Sequence, residues 1–391
     1  MRAFALEAEQ DRWCEELRTL ATERLRPLTD GTDPPAHGRI NRPLVAALGE
    51  LGLLARIFPP DGSPVSALDL CLLRESLARG CTEAETALAL QGLGACPLAQ
   101  SGSEIQRRRW LPEITAGRAI AAFALSEPGA GSDAAALSLT ATPTPAPTSA
   151  PASRSGSGSG GWLLSGTKTW ISNAPYADVY SVFARTGEEA GARGITAFLV
   201  PADRAGLTGE PLDMLSPHPI GTLTFDAVPV TADDMLGEPG QGFGVAMRTL
   251  NLFRPSVGAF AVGMAQAALD AALAHAATRT AFGGVLGDLQ AVSHQLAEMA
   301  TRTESARLLV YAAAAAYDRG DAGVAKRAAM AKLLATETAQ YVVDAAVQIH
   351  GAAALQRGHL LERLYREVRA PRIYEGATEV QRSIIAKELY R

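Results

Sequence analysis

AIAAFALSEPGAGSD, residues 119–133, is where the chain changes character. The apolar run AIAAFAL ends in a turn carrying Ser126, Pro128, Gly129 and Gly131, which is how a strand is bounded, not a helix. On its amino-terminal side, residues 3 to about 118 read as helices. Thr82 with Glu85 and Ser103 with Gln106 have capping-box spacing, in which a hydroxyl accepts the N3 amide and the N3 side chain returns to the cap amide. On the other side, GWLLSG (161–166), KTWISN (168–173), VYSVFAR (179–185), GITAFLV (194–200) and GTLTFDAVPV (221–230) are short apolar or alternating runs bounded by Gly, Pro, Ser and Asp. They predict a mainly antiparallel β domain. From about residue 240 the helical period returns, with Leu289, Val292, Leu296 and Met299 on one face and an alanine-rich background that lets long helices pack closely. The pattern predicts segregated blocks of an α+β chain: an N-terminal helical domain over 1–118, a middle antiparallel β domain over 119–235, and a C-terminal helical bundle over 236–391.

Composition narrows the class. With 391 residues and 47% hydrophobic positions the chain is long enough for several cores. A net charge of -5, from 36 basic and 41 acidic residues, gives no footprint for a nucleic-acid partner. Cys14, Cys71, Cys81 and Cys96 form no CxxC pair and suit buried, reduced thiols. The six histidines have no metal-ligand spacing, so no metal site is expected. Val257 to Ala277 is apolar but broken by Gln266, Asp270 and His275, which fits a buried helix better than a membrane span. MRAFALEAEQDRW lacks the apolar core of a signal peptide, and a cytoplasmic location is expected. Residues 141–160, ATPTPAPTSAPASRSGSGSG, read as a flexible insertion between two strands.

Three segments can carry chemistry. The turn after Phe123 offers backbone amides and the hydroxyls of Ser126 and Ser132 to a ligand, or is only a turn. Trp170 and Ser172 alternate along a strand and face one side, where the indole either walls a planar ring system or fills a core. In RIYEGATEVQR, Glu375 stands before Gly376 at the mouth of a terminal helix. A carboxylate among apolar groups can be tuned towards a general base, and one at a helix start can simply offset the dipole.

Taken in order, SEPGAGSD, GTKTWISN, RTAFGGVLGDLQAVSHQLAEM and RIYEGATEVQR resemble the acyl-CoA dehydrogenase family over essentially the whole chain. The resemblance implies an α domain, a middle β domain, a four-helix bundle and an FAD cofactor. Phe123, Leu125, Ser126, Gly131 and Ser132 would lie beside the flavin or thioester, with Trp170 and Ser172 over the ring. Arg279, Phe282 and Gln290 match the residues that reach the FAD of a neighbouring subunit, which implies a homodimer or homotetramer. Gln348, Ile349 and Gly351, then Thr378 and Glu379, match further cofactor-facing segments. Glu375 matches the base that takes the α proton of an acyl thioester while the flavin accepts the β hydride, with Ser132, Asn251 and Gly376 at the substrate, and Arg254 either shapes that site or forms a plain helix-surface salt bridge.

Some positions depart from the family pattern. Asn251 replaces a frequent acid near the pantetheine channel, Ala352 a glycine, Ala377 a small hydroxyl residue, and Glu367 an aspartate. The carrier can therefore be CoA or an acyl-carrier protein, and the electron acceptor an electron-transfer flavoprotein or, in an oxidase, oxygen. A catalytically weak, structural or nucleic-acid-binding relative is the alternative from another class, against which the acidic balance and Glu375 count.

Overall fold

The computed structural model describes residues 6–29, 39–59, 62–145, 160–187, 189, 191–216 and 218–390. Its helices and strands run in three blocks. First come α1 (Ala8–Leu20), α2 (Arg42–Glu50), α3 (Leu53–Ile57), α4 (Ala67–Gly80), α5 (Thr82–Ser101) and α6 (Glu104–Thr115). Seven strands follow: β1 (Ala121–Ala124), β2 (Thr140–Pro143), β3 (Trp162–Ser172), β4 (Val179–Arg185), β5 (Ile195–Pro201), β6 (Leu207–Pro211) and β7 (Ile220–Val230). The last block holds α7 (Gly242–Thr278), a two-stranded hairpin of β8 (Thr280–Ala281) and β9 (Gly284–Val285), then α8 (Gln290–Asp318), α9 (Val324–His350), α10 (Leu360–Glu367) and α11 (Thr378–Leu389). By packing, the chain divides into a helical unit (Met1–Gly31, Ser63–Thr86, Asn251–Arg391) and a sheet-containing unit (Thr32–Gly62, Ala87–Leu250).

In the sheet-containing unit the strand order is β1-β4-β2-β3-β7-β6, with β5 on the far edge of β4. Four pairings are antiparallel, and β4 runs parallel to β1 and to the end of β2. GWLLSG and KTWISN are one strand, β3, and Ala141–Pro143 of the expected insertion belong to β2, paired with Trp162–Leu164. Thr142 and Ala141 have the alternation of a strand, which the surrounding prolines hide. Residues 146–159 of that insertion lie outside the described residues.

Helix α5 meets β1 through Gly94: a Cβ there would stand 2.5 Å from the Ala121 carbonyl carbon, and Ser181 Oγ donates to Gly94 O at 2.9 Å. Gly94→Ala is therefore expected to lower stability by about 1–3 kcal/mol, the usual cost of overpacking, read from the urea midpoint. An unchanged midpoint would mean the helix has room to shift.

In the helical unit, Ser103-type capping logic recurs with other partners. Ser66 Oγ accepts from Asp69 N, and the Asp318 carboxylate accepts from Ala67 N and Leu68 N, placing a negative charge on the α4 amino terminus. Small residues set the spacing here as the alanine content predicted. A Cβ on Gly258 would meet Val310 of α8 at 2.7 Å and Ala335 of α9 at 3.4 Å. The most apolar window of α7 is long enough to cross a membrane by composition, and 72% of it is buried within the protein. Leu296 and Met299 are buried on α8 as the spacing predicted. All four cysteines are free and buried, and burial pushes Cys81 up to about 11 and Cys96 to about 12.

In the sheet-containing unit, the predicted box at α6 is present, with Gln106 N bonded to Ser103 Oγ and Ser103 N to Gln106 Oε1. At the start of α5, which belongs to the helical unit, the outcome differs. Thr82 is already the first helical residue, and Glu85 Oε1 accepts from Arg74 Nε at 2.5 Å.

Candidate active site

Strand β1 delivers Phe123 and then Leu125, Ser126 and the glycine turn at its carboxyl end. What shapes the turn is a buried ion pair that the sequence did not single out. Lys168 Nζ on β3 contacts Glu127 Oε1 at 2.8 Å and donates to Leu125 O at 2.9 Å. Glu127 also accepts from Leu139 N at 2.9 Å, Ser138 N at 2.6 Å and Ser138 Oγ at 2.7 Å. With side chains 0% and 3% exposed, the pair locks both ends of the turn to β3. Burial lowers Lys168 to about 8 against the pull of Glu127. The turn itself faces outward: Gly131 and Ser132 are exposed, and neither their amides nor the hydroxyls of Ser126 and Ser132 bond to any described residue.

Two residues further along β3 the ladder slips. Lys168 pairs with Leu223 but Ile171 with Gly221, so one extra residue sits between them. Lys168 and Ile171 are both buried, whereas Trp170, at φ 56°, is 52% exposed. Unbroken alternation from Lys168 would have turned the indole inward. The bulge keeps Trp170 and half-buried Ser172 opposite to Ile171, and Thr169 Oγ1 meets Thr222 Oγ1 at 3.2 Å.

In the helical unit, Glu375 lies two residues before Ala377, the N-cap of α11, and not within the helix. Glu375 and Gly376 both have left-handed backbones, φ 49° and 95°. The turn is held by Lys332 Nζ of α9, which donates to Gly376 O at 2.7 Å, and by Gln381 Nε2 of α11, which donates to the same oxygen at 2.8 Å. Glu375 Oε2 is buried without a hydrogen-bond partner, and the Glu375 amide bonds to no described residue. Burial raises the Glu375 pKa above the usual carboxylate range, and Arg74, Lys332 and Arg254 only partly oppose it. Arg254 Nη1 donates to Asn251 Oδ1 at 2.8 Å while its buried Nε has no partner, so it is not a surface salt bridge. Arg74, 2% exposed, also donates to Ser256 Oγ at 2.7 Å.

The remaining predicted positions fall in three places of the same unit. Arg279, Phe282 and Gln290 are exposed around the β8–β9 hairpin, with Phe282 92% exposed at φ 55°. Gln348, Ile349 and Gly351 end α9, where the His350 ring stacks on His275 at 4.2 Å and meets His359 edge-on at 5.5 Å. Thr378 is buried with Oγ1 on Glu337 Oε1 at 2.8 Å, a contact that occupies its hydroxyl, and Glu379 is exposed.

Sequence reasoning missed Glu127, Lys168, Arg74, Lys332 and Gln381, and gave Glu85 a capping role in place of its bond to Arg74. One signal was available for Lys332: Ala328, Ala331, Ala335 and Ala339 form the buried stripe of α9, and a lysine on that stripe must find partners. The residues present fit a flavin. An outward indole held by a bulge suits a planar ring, and a glycine turn with unpaired amides and hydroxyls suits a polar edge or phosphate.

Comparison with known proteins agrees with this chemistry. The chain matches the acyl-CoA dehydrogenase N-terminal domain over 7–118, the middle domain over 122–228 and the C-terminal domain over 240–390. It is 35% identical over 383 residues to the cyclohexane-1-carbonyl-CoA dehydrogenase of Geobacter metallireducens, covering 96% of each chain. It is 38% identical over 380 residues to the mitochondrial short-chain specific acyl-CoA dehydrogenase of Sus scrofa, covering 96% of this chain and 88% of that one. The butyryl-CoA dehydrogenase structure from Megasphaera elsdenii superposes with a TM-score of 0.88 at 32% identity, over 99% of this chain and 100% of that one. With all three blocks matched and a turn, an indole and a buried carboxylate suited to flavin chemistry, this chain belongs to the acyl-CoA dehydrogenase family and is an FAD-dependent oxidoreductase.

Proposed function

We propose that the protein introduces an α,β double bond into an acyl-CoA, with Glu375 as the base that removes the α proton. The observation that carries this reading is Glu375 itself: a carboxylate with one buried, unpartnered oxygen and a raised pKa, next to an unused amide. When bound, FAD supplies the acceptor for the β hydride equivalent. Glu375 Oε2 takes the α proton, and the free Glu375 N–H is a donor for the thioester oxygen, where charge develops as the proton leaves. Arg254, with its unpaired Nε, adds a positive charge that favours the ionised form of Glu375.

The raised pKa gives the reaction a definite pH dependence. Only ionised Glu375 can accept a proton, so flavin reduction is expected to climb with pH through a midpoint above the ordinary carboxylate range, about tenfold per unit on its acid side. Stability runs the other way. Above the unfolded value the folded chain binds more protons at Glu375 than the unfolded one, so this contribution is lost as pH rises through the folded value. A rate that is flat from pH 5 to pH 8 would count against the base.

Anaerobic titration with a panel of acyl-CoA and acyl-carrier thioesters, following loss of flavin absorbance, tests the reaction and picks the carrier. At least one saturated acyl-CoA should bleach the flavin, and a panel that leaves it oxidised rejects the proposal. We infer a homodimer or homotetramer, supported by the 92% exposed Phe282 beside Arg279, and an electron-transfer flavoprotein as acceptor. Four free, buried thiols fit a reducing compartment such as the cytoplasm.

A further inference from the structure

Lys332 is a charged group where α9 has no obvious need of one. It is 0% exposed, on a stripe of buried alanines, and its ammonium reaches out of α9 to a backbone oxygen 44 residues along the chain. That oxygen belongs to Gly376, the residue after the base. The turn it grips has an uncommon backbone: a non-glycine residue at φ 49° followed by a glycine at φ 95°. Gln381 Nε2 holds the same Gly376 oxygen at 2.8 Å and lies 3.4 Å from Glu375 O, so one carbonyl is pinned from two helices.

We propose that Lys332 is the positioning residue for the base: it clamps the Gly376 carbonyl to hold Glu375 in its left-handed conformer and lays a positive charge beside its carboxylate. The proposal rests on Glu375 as the proton acceptor. The two contributions separate physically. The hydrogen bond fixes where the carboxylate points, and misplacing a base costs rate at every pH. The charge favours ionised Glu375 and so sets the pH at which the base becomes available.

Other charges face the same two groups and define the background against which this one is read. Arg74 of α4 and Arg254 of α7 also favour ionised Glu375, while Glu337 of α9 and Glu379 of α11 act on Lys332. Burial brings Lys332 itself down to about 8, with Glu375 opposing, so near neutral pH the lysine still carries its charge in most molecules. The two groups titrate as a coupled pair.

The test compares Lys332→Met and Lys332→Gln with wild type and Glu375→Gln, as FAD-loaded protein. Flavin reduction by the best acyl-CoA of the panel is followed across pH. The ionisation of Glu375 is read independently by carbon-13 NMR of the labelled carboxyl, identified by its loss in Glu375→Gln. Both lysine variants should move the rate midpoint and the carboxyl titration up by about one pH unit. The high-pH plateau should fall roughly tenfold in Lys332→Met, and less in Lys332→Gln, which can still donate to Gly376 O. Midpoints that overlay wild type overturn the proposal, as does failure of both variants to accumulate as folded flavoprotein, which would make Lys332 a folding residue. If Glu375→Gln reduces its flavin at the wild-type rate, it is the assignment of the base that fails instead.

Discussion

Glu375→Gln is expected to fold, retain FAD and bind its thioester, and to reduce its flavin at least about 100-fold more slowly than wild type, since general-base catalysis is worth roughly 100- to 10,000-fold. The amide keeps the size and hydrogen-bonding capacity of the acid and removes only the proton acceptor. Two other carboxylates of the same unit are already engaged, Glu85 by Arg74 and Glu337 by Thr378 and Arg372. Rapid-mixing measurement of flavin bleaching under anaerobic conditions decides the matter. A rate within a few-fold of wild type removes Glu375 from the mechanism. The variant should also lack the fall in stability that wild type shows with rising pH, because a neutral amide has no proton to release.

Lys168→Met should produce the largest loss of stability, about 3–5 kcal/mol, because it strands the Glu127 carboxylate at 3% exposure with its cation removed. Burial by itself would raise the Glu127 pKa. Lys168 and the amides of Ser138 and Leu139 outweigh burial and hold it below the usual range. A carboxyl with a depressed folded pKa contributes stability above its unfolded value, and that contribution is lost as pH falls through the folded value. The gap between variant and wild type should therefore narrow on acidification. Adding Glu127→Gln should restore part of the loss, since two neutral partners avoid the stranded charge. Urea unfolding of wild type, Lys168→Met, Glu127→Gln and the double variant, followed from pH 7 down to about pH 3, checks this, and a loss in Lys168→Met below about 1 kcal/mol at pH 7 would mean the interior relaxes around the bare carboxylate.

The three blocks were legible because each has its own period: VYSVFAR coincides with β4, and the Leu296 and Met299 face is buried on α8. Short elements were not. Strand β6, LTGEP, carries Gly and Pro and takes its strand form from pairing with β7, a long-range contact that no local pattern announces. The site divided in the same way. Residues that would touch ligand, such as Trp170 and Glu375, stand out as unusual in their surroundings. Their supports Lys168, Lys332 and Arg74 look like ordinary surface charges until folding withdraws them from water and brings partners from elsewhere in the chain. Residue type fixes what a group can do, while burial and partner geometry decide whether it does it.

The slip in β3 bears on how this enzyme can change. Two neighbouring residues share one rung of the ladder there, so Thr169 can keep its cross-strand contact with Thr222 while Trp170 answers to nothing in the sheet. Face chemistry and sheet integrity are thereby inherited separately. A variant library at position 170 should tolerate Phe, Tyr, His or Asn with little penalty to folding and reject Val, Ile and Thr, whose branched side chains resist a positive φ. The rung is an exchangeable socket, and descendants of this chain could refit its outer face one residue at a time without repacking what lies beneath.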